Sequence, residues 1–401
     1  ARRKAFTAIS LFGISMTLAV LMAATAILDH LFQARAPETR LDRTLLVTRL
    51  GQYGDQHGMT SRPGYAFLDQ FVRTLPGIES ASIFSTLQAG AIYRDGARVD
   101  VMLRRTDGPY WQILDFDFLE GGPYSAADDE MGRLVAVINE DVRDRLFDNQ
   151  PAVGRTFQLE GRSFRVVGVV RRAALTQAMA YSQIWMPIGS LKSSEYRERM
   201  LGDFTGAVLV KNRRDIPALQ REFESRLPRV PLSNPKEFHM TRGGLDTPFE
   251  SFVRMIAGNR QFDASTPGRF RIILAVIALL FMALPALNLI TLNLSRILER
   301  GPEIGVRRAF GAPRSTLVRQ FVFENVVMTV IGGVIAFGIA GFMLPILNRL
   351  VPLPDAQLTL NLRVFAWGMF MALLFGVLSG VYPAWRMSRL HPVNALRGGS
   401  Q

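Results

Sequence analysis

Four apolar runs, unevenly spaced, limit what this chain can become. Ala5–Leu28, Ile272–Leu294, about Phe321–Leu347 and Val364–Tyr382 contain a single charged residue between them, Glu324. As a helix, Ala5–Leu28 would extend about 36 Å, more than the ~30 Å of a bilayer's hydrocarbon core. The sequence opens on Ala1 instead of Met, so removal of an initiator is expected, and Ala1–Lys4 ahead of an apolar run resembles a signal peptide. The run is too long for that role and no small-residue cleavage pattern follows it, so an anchor crossing the membrane is expected.

Charge orders the four runs across the bilayer. Arg2, Arg3 and Lys4 precede the first. Arg296, Arg300, Arg307, Arg308, Arg314 and Arg319 follow the second, and Arg386, Arg389 and Arg397 follow the fourth. The loop 351–361 between the third and fourth holds only Asp355. Cationic loops stay on the cytoplasmic side, so both termini and the loop after the second run are expected there. The net charge of +13 could suggest nucleic acid. That class is set aside because the charge flanks apolar runs and forms no basic patch interleaved with aromatics; lysine occurs only at 4, 192, 211 and 236. Cysteine is absent, which excludes disulfides and thiolate chemistry. His30, His57, His239 and His391 show no metal-ligand spacing, and no Ser/His/Asp set or supported acid pair emerges.

Between Asp29 and Arg271 no second span interrupts a long polar stretch, so a large extracytoplasmic α+β domain is expected. Two βαβ units are legible in it: Thr44–Leu50, Arg62–Leu75 and Ser80–Ser85, then Gly206–Lys211, Ile216–Leu227 and Glu237–Thr241. Paired, they would make one split, ferredoxin-like layer. From about Thr86 to Leu201 the pattern is mainly β, with strands over Arg98–Arg104, Leu134–Asn139, Thr156–Leu159, Ser163–Val170 and Gln183–Pro187. Trp111, Phe116 and Phe118 are expected in its core.

The stretch Arg296–Gln320 is the charged, punctuated element between the second and third runs. Gly301 ends the preceding helix, Pro302 suits a first helical position and Glu303 puts negative charge in the first turn. Gly311 can cap and Pro313 prevents continuation, which predicts a helix over 302–310. Glu303 and Arg307 are an i, i+4 pair, as are Val306 and Phe310. Spacing alone leaves an ordinary basic loop and a docking helix equally open. Gly376 and Gly380 in the fourth run have GxxxG spacing, which permits close helix contact and occurs in lone membrane helices too.

The segment 302–325, PEIGVRRAFGAPRSTLVRQFVFEN, is similar to the coupling segment of the FtsX/MacB-like ABC transporter permeases. ALNLITLNLSR at 286–296 resembles their second span, and SGVYPAWRMSRLHPVNALRGG at 379–399 their C-terminal signature. Residues 134–170 resemble the strand-rich part of a MacB-type periplasmic domain. The likeness implies four transmembrane helices and a large outer domain. It divides the chain into 1–29 (cytoplasmic start and first span), 30–270 (outer domain) and 271–401 (three further spans). Within the outer domain, 30–85 and 202–245 would be porter-like, 86–201 a sabre-like insertion, and 246–270 the approach to the membrane.

The likeness also implies roles. Glu303, Ile304, Gly305, Arg307, Arg308, Ala309, Gly311 and Ala312 would be the footing of an ATPase. The chain has no GxxxxGK[ST] phosphate loop, so ATP and Mg would be bound by a separate ABC ATPase subunit, and this chain would be a non-catalytic subunit without a cofactor. A second permease, identical or related, would complete the pair in a bacterial inner membrane. A periplasmic adaptor and an outer-membrane channel are further partners compatible with export. An FtsX-like regulator of a cell-wall hydrolase is the alternative the same layout allows.

Overall fold

The computed structural model describes residues 2–32, 34–55, 57–94, 96–258, 266–299, 314–350 and 360–388. It divides into two compact units, one of residues 31–270 and one of 1–30 with 271–401.

The first unit is built on an open sheet that runs into a closed barrel. Its strands are β1 (Thr44–Val47), β2 (Leu50–Tyr53), β3 (Gly58–Pro63), β4 (Ile78–Ser85), β5 (Gln88–Arg94), β6 (Ala97–Thr106) and β7 (Phe118–Gly121). They continue as β8 (Val135–Asn139), β9 (Thr156–Leu159), β10 (Arg162–Val170), β11 (Ile184–Pro187), β12 (Leu201–Gly202), β13 (Phe204–Val210) and β14 (Met240–Gly243). In the open part β13 lies between β1 and β4 and is antiparallel to both, with Leu46 opposite Ala207 and Ile83 opposite Gly206. β1 and β4 are therefore parallel and separated by one strand, as a split βαβ unit requires.

Alternation explains why these strands read as continuous apolar runs. Leu45, Val47, Ile83, Val208 and Val210 face one core with Phe67, Leu68, Leu219 and Phe223 from the covering helices. Leu46, Phe84, Ala207 and Leu209 face the opposite core with Tyr110 and Trp185. Both faces are covered, so both sets must be apolar.

The helix of the first βαβ unit is shorter than Arg62–Leu75. Arg62 and Pro63 belong to β3, and the helical part is Tyr65–Phe67 followed by a wide turn over Leu68–Val72. Gly64 marks the boundary. A Cβ there would lie 1.9 Å from the Arg199 carbonyl oxygen, so only glycine fits. The second βαβ unit also departs from expectation. After the helix Ile216–Arg226, the strand expected over 237–241 forms at Met240–Gly243 and joins a separate sheet of order β12-β3-β2-β14. Its place beside β1 is taken by a single bridge, Leu46 to Asp246, with N–H···O distances of 2.7 and 2.8 Å. Gly243, Gly244 and the buried Asp246 supply little apolar alternation for a longer strand there.

The insertion between β4 and β13 closes on itself. β5, β6, β11, β8, β10 and β9 pair in a ring that returns to β5 through Ile92 opposite Leu159. Ile92, Leu103, Ile138, Phe164, Val166 and Met186 fill it. The β9–β10 hairpin turns through Glu160 (φ 52°) and Gly161 (φ 74°), the two positive φ values of a tight two-residue turn. Trp111, Phe116 and Phe118 pack against the Tyr110–Trp185 core.

β6 belongs to both parts. It meets β4 through Thr106 opposite Phe84, and also pairs with β5 and β11. Its end, Arg104–Asp107, is buried at four consecutive positions. Arg105 reaches Gln88 Oε1 and Glu160 Oε2 at 3.0 and 2.8 Å, and Thr106 bonds the Tyr124 hydroxyl. Asp107 accepts from Ser82 Oγ, the Ile83 and Tyr110 N–H groups and Arg73 Nη2 at 2.7 to 3.2 Å.

The second unit contains the helices Arg2–Phe32, Thr266–Glu299, Arg314–Leu350 and Leu362–Ser388, named here by their full extents. Among the described residues, Val322–Leu350 is long and apolar enough to cross a membrane, with mean hydropathy 2.3. Leu11–Ile27 and Leu362–Leu378 are apolar but shorter. The helix Arg314–Leu350 receives the N-terminal helix at Gly332, whose carbonyl accepts Ser15 Oγ at 2.9 Å. It receives the last helix at Thr329, 2.7 Å from where a Cβ on Gly376 would sit, while Asn325 Nδ2 donates to the Gly376 carbonyl at 3.4 Å.

Gly376→Ala is expected to lower the unfolding temperature in detergent, costing about 1–3 kcal/mol through overpacking, because the β-branched Thr329 has little rotamer freedom in a helix. Thr329→Ala should restore most of that loss in the double variant. Additive losses in a double-mutant cycle would reject the contact.

Candidate functional site

Residues 300–313, with the expected footing Glu303, Ile304, Gly305, Arg307, Arg308, Ala309, Gly311 and Ala312, lie outside the described residues. Gly376 lies against Thr329 as above, and Gly380 falls within the helix Leu362–Ser388. The site that can be built in atomic detail is a cleft of about 810 Å³ in the first unit, lined from several separate segments of the chain.

Each wall has a local cause. Phe32, at the end of the N-terminal helix, meets Phe249 and Phe252 edge to face, at ring distances of 5.4 and 5.3 Å. Phe249 and Phe252 are held by the helix Pro248–Ile256. That helix begins with a full capping box, Thr247 with Glu250, and with Pro248 in its first turn. The β1–β2 connection brings Arg49 and β3 brings Arg62 to the wall, and the β4–β5 corner adds Thr86 and Leu87. Met255 is 57% exposed at the rim.

The cleft's polar groups are unevenly matched. Asp246 and Arg254 pair at 3.0 Å and are largely spent on each other. Glu38 is buried and accepts the Met179 and Ala180 N–H groups, both at 2.9 Å, through one carboxylate oxygen. Burial raises its pKa to about 7, against the lowering effect of those two bonds and of the Arg104 charge. Arg104 is 3% exposed. It donates to the Ala178 carbonyl at 3.0 Å and lies 5.0 Å from the Phe84 ring centroid, and its Nε has no hydrogen-bond partner. Burial pulls the Arg104 pKa down. Arg62 is solvent-accessible, yet desolvation by the surrounding wall and then the Arg49 charge lower its pKa as well. Arg49, Arg62 and Arg104 thus line the same cleft as the buried Glu38, whose pKa is raised to about 7.

Neither this cleft nor its residues stood out in the sequence. One signal was available. β6 alternates, so the adjacent Arg104 and Arg105 must point to opposite faces, and a strand buried on both sides then has to bury both.

The chain belongs to the ABC transporter permease family that joins a MacB-like periplasmic core domain to an FtsX-like permease domain. The model of the first matches residues 7–226 and that of the FtsX-like permease C-terminal matches residues 275–392. Among its relatives is the pyoverdine export ATP-binding/permease protein PvdT of Pseudomonas fluorescens strain Pf0-1. It is 26% identical over 83% of this chain and 48% of its own length. The ABC transporter permease YknZ of Bacillus subtilis strain 168 is 23% identical over 82% of this chain and 79% of its own. The macrolide export ATP-binding/permease protein MacB of Neisseria gonorrhoeae is 23% identical over 72% and 42%. The chain therefore spans about half the length of the fused relatives. Among solved structures, the extracellular domain of YknZ overlaps 49% of this chain and 98% of its own, at 15% identity and a TM-score of 0.37.

Glu38, Asp107 and Asp246 all have raised pKa values, to about 7, 6 and 6. A carboxyl raised on folding holds its proton more tightly in the native state. Its stabilisation is complete below the unfolded pKa and is lost as pH rises through the folded one. The protein is expected to lose stability between about pH 4.5 and 7. Glu38→Gln keeps an oxygen for both backbone donors and removes the buried charge, so it should raise stability at about pH 8 by up to about 3 kcal/mol and flatten the profile. Thermal unfolding across pH measures this, and an unchanged slope would reject it.

Proposed function

We propose that this chain is the permease subunit of an ABC exporter, paired with a second permease and driven by a separate ATPase subunit that binds ATP and Mg. The observation that carries the reading is the succession of a MacB-like core domain and an FtsX-like permease domain along the chain. Helices of 31, 34, 37 and 27 residues are each long enough, at about 1.5 Å per residue, to cross ~30 Å of hydrocarbon. The arginine distribution supports a four-span topology with both termini in the cytoplasm and residues 31–270 in the periplasm.

In this reading ATP binding draws the ATPase pair together and moves the segment 302–310, and the second span passes the displacement to the outer domain. ATP must bind one state better than the other, because equal affinity would shift nothing. A substrate would enter the outer domain from the periplasm or outer leaflet and leave outward.

Tagged protein purified in mild detergent is expected to bring a stoichiometric ATPase subunit with it. Replacing Glu303 and Arg308 by Ala should reduce coupled ATP hydrolysis about tenfold or more, the scale of losing one or two charge-assisted contacts, while thermal stability stays unchanged. Full coupling in that variant would overturn the docking role. Recovery of a peptidoglycan hydrolase in place of transport partners would favour the regulatory alternative.

A further inference from the structure

We infer that the cleft between Phe32, Arg49, Arg62, Phe84, Arg104 and Met255 binds a single-chain anionic amphiphile, an acidic headgroup carried on an apolar tail. As the substrate site of an exporter this rests on the permease reading above; as a binding site it rests on the cleft alone.

Charge comes first. Arg254 is paired with Asp246, which leaves Arg49, Arg62 and Arg104 as the cations of the cleft that meet no carboxylate within ion-pair distance among the described residues. Desolvation and then the neighbouring Arg49 charge lower the Arg62 pKa, against the raising effect of Asp203. Arg104 adds a buried cation to the same wall: it is 3% exposed, donates to the Ala178 carbonyl at 3.0 Å, and its unpartnered Nε is itself sealed from solvent, so it acts on a headgroup through its charge. A carboxylate or phosphate ester suits the planar fork of Arg better than a neutral polar group does. Hydroxyls on Thr48, Thr60, Ser61 and Thr86 along the same wall can add neutral hydrogen bonds to such a headgroup.

The rest of the lining says that the headgroup has a tail. Phe32, Leu41, Leu87, Phe252 and Met255 line the cleft too, and Met255 leaves its apolar side chain in solvent. A site for a bare anion has no use for this surface, and a site for a neutral lipid would not retain three unpaired guanidiniums. About 810 Å³ falls within the ~300–1,000 Å³ of small-molecule sites, enough for one chain and too small for a folded partner. The aromatic contact of Phe32 with Phe249 and Phe252 closes one end of the cleft.

The test uses the full chain in nanodiscs of neutral phosphatidylcholine. The probe is a medium-chain fatty acid with a diazirine at its tail, and peptide mass spectrometry locates the label. Label is expected on the peptides carrying Leu87 and Met255, displaced by dodecyl phosphate and not by dodecanol or inorganic phosphate. Arg104→Gln should weaken labelling, but it alters a buried residue. The pair Arg49→Gln and Arg62→Gln lies on accessible wall and should leave unfolding unchanged while weakening labelling about tenfold, the scale of one to two charge-assisted bonds.

Equal displacement by dodecanol would show an apolar groove indifferent to charge and overturn the inference. Displacement by inorganic phosphate alone would do so as well, and so would label confined to the helices Arg314–Leu350 and Leu362–Ser388. The readout needs neither ATP nor an ATPase subunit. Failure of labelling with ATPase coupling intact removes the site and leaves the permease reading, and labelling of a chain that recruits no ATPase does the reverse.

Discussion

The shared strand β6 is the constraint on which the outer domain depends. A strand in an open sheet may leave one face wet, but β6 borders the open sheet on one side and closes a barrel on the other. Its end has no exposed face, yet the sequence there is Arg-Arg-Thr-Asp. Burying four polar side chains in a row is tolerable only if each finds partners, and each does. Asp107 alone gathers four donors from β4, the turn at Tyr110 and Arg73. The two guanidiniums each retain an unsatisfied Nε. The sheet–barrel junction is therefore specified by directional bonds that hold one arrangement, where an apolar seam could slide.

The cleft is a consequence of that junction. Arg104 is set by its strand register, and the bridge between Leu46 and Asp246 brings the helix Pro248–Ile256 opposite to it. Burial raises the Glu38 pKa to about 7, while Arg49, Arg62 and Arg104 line the same cleft, so its walls lean to positive charge without any cluster of lysines or arginines in the sequence.

Much of this fold was legible where both faces of a strand are buried. GAVLVK and LVAVIN show it as β13 and β8, because covering both sides selects apolar residues at every position. β2 and β3 escaped because 50–63 is rich in glycine and polar residues and pairs at a sheet edge, where alternation is weak. The second βαβ unit was half right. The helix Ile216–Arg226 is where its apolar spacing puts it, but the strand after it was recruited by β2. That choice between two sheets is tertiary, and local propensity cannot report it. The cleft was illegible for a related reason: its arginines come from the β1–β2 connection, β3, β6 and the helix Pro248–Ile256, separate in sequence and each ordinary alone.

The barrel leaves and rejoins the open sheet at one point. Ser85 lies opposite Phe204, and just beyond them the Thr86 N–H donates to the Asp203 carbonyl at 3.0 Å. Everything from 87 to 202 therefore departs and returns through two adjacent strands already joined as the stem of a hairpin. To the open sheet, the insertion is a very long turn. Related chains could lengthen or shorten the far side of this module while β4 and β13 keep their register.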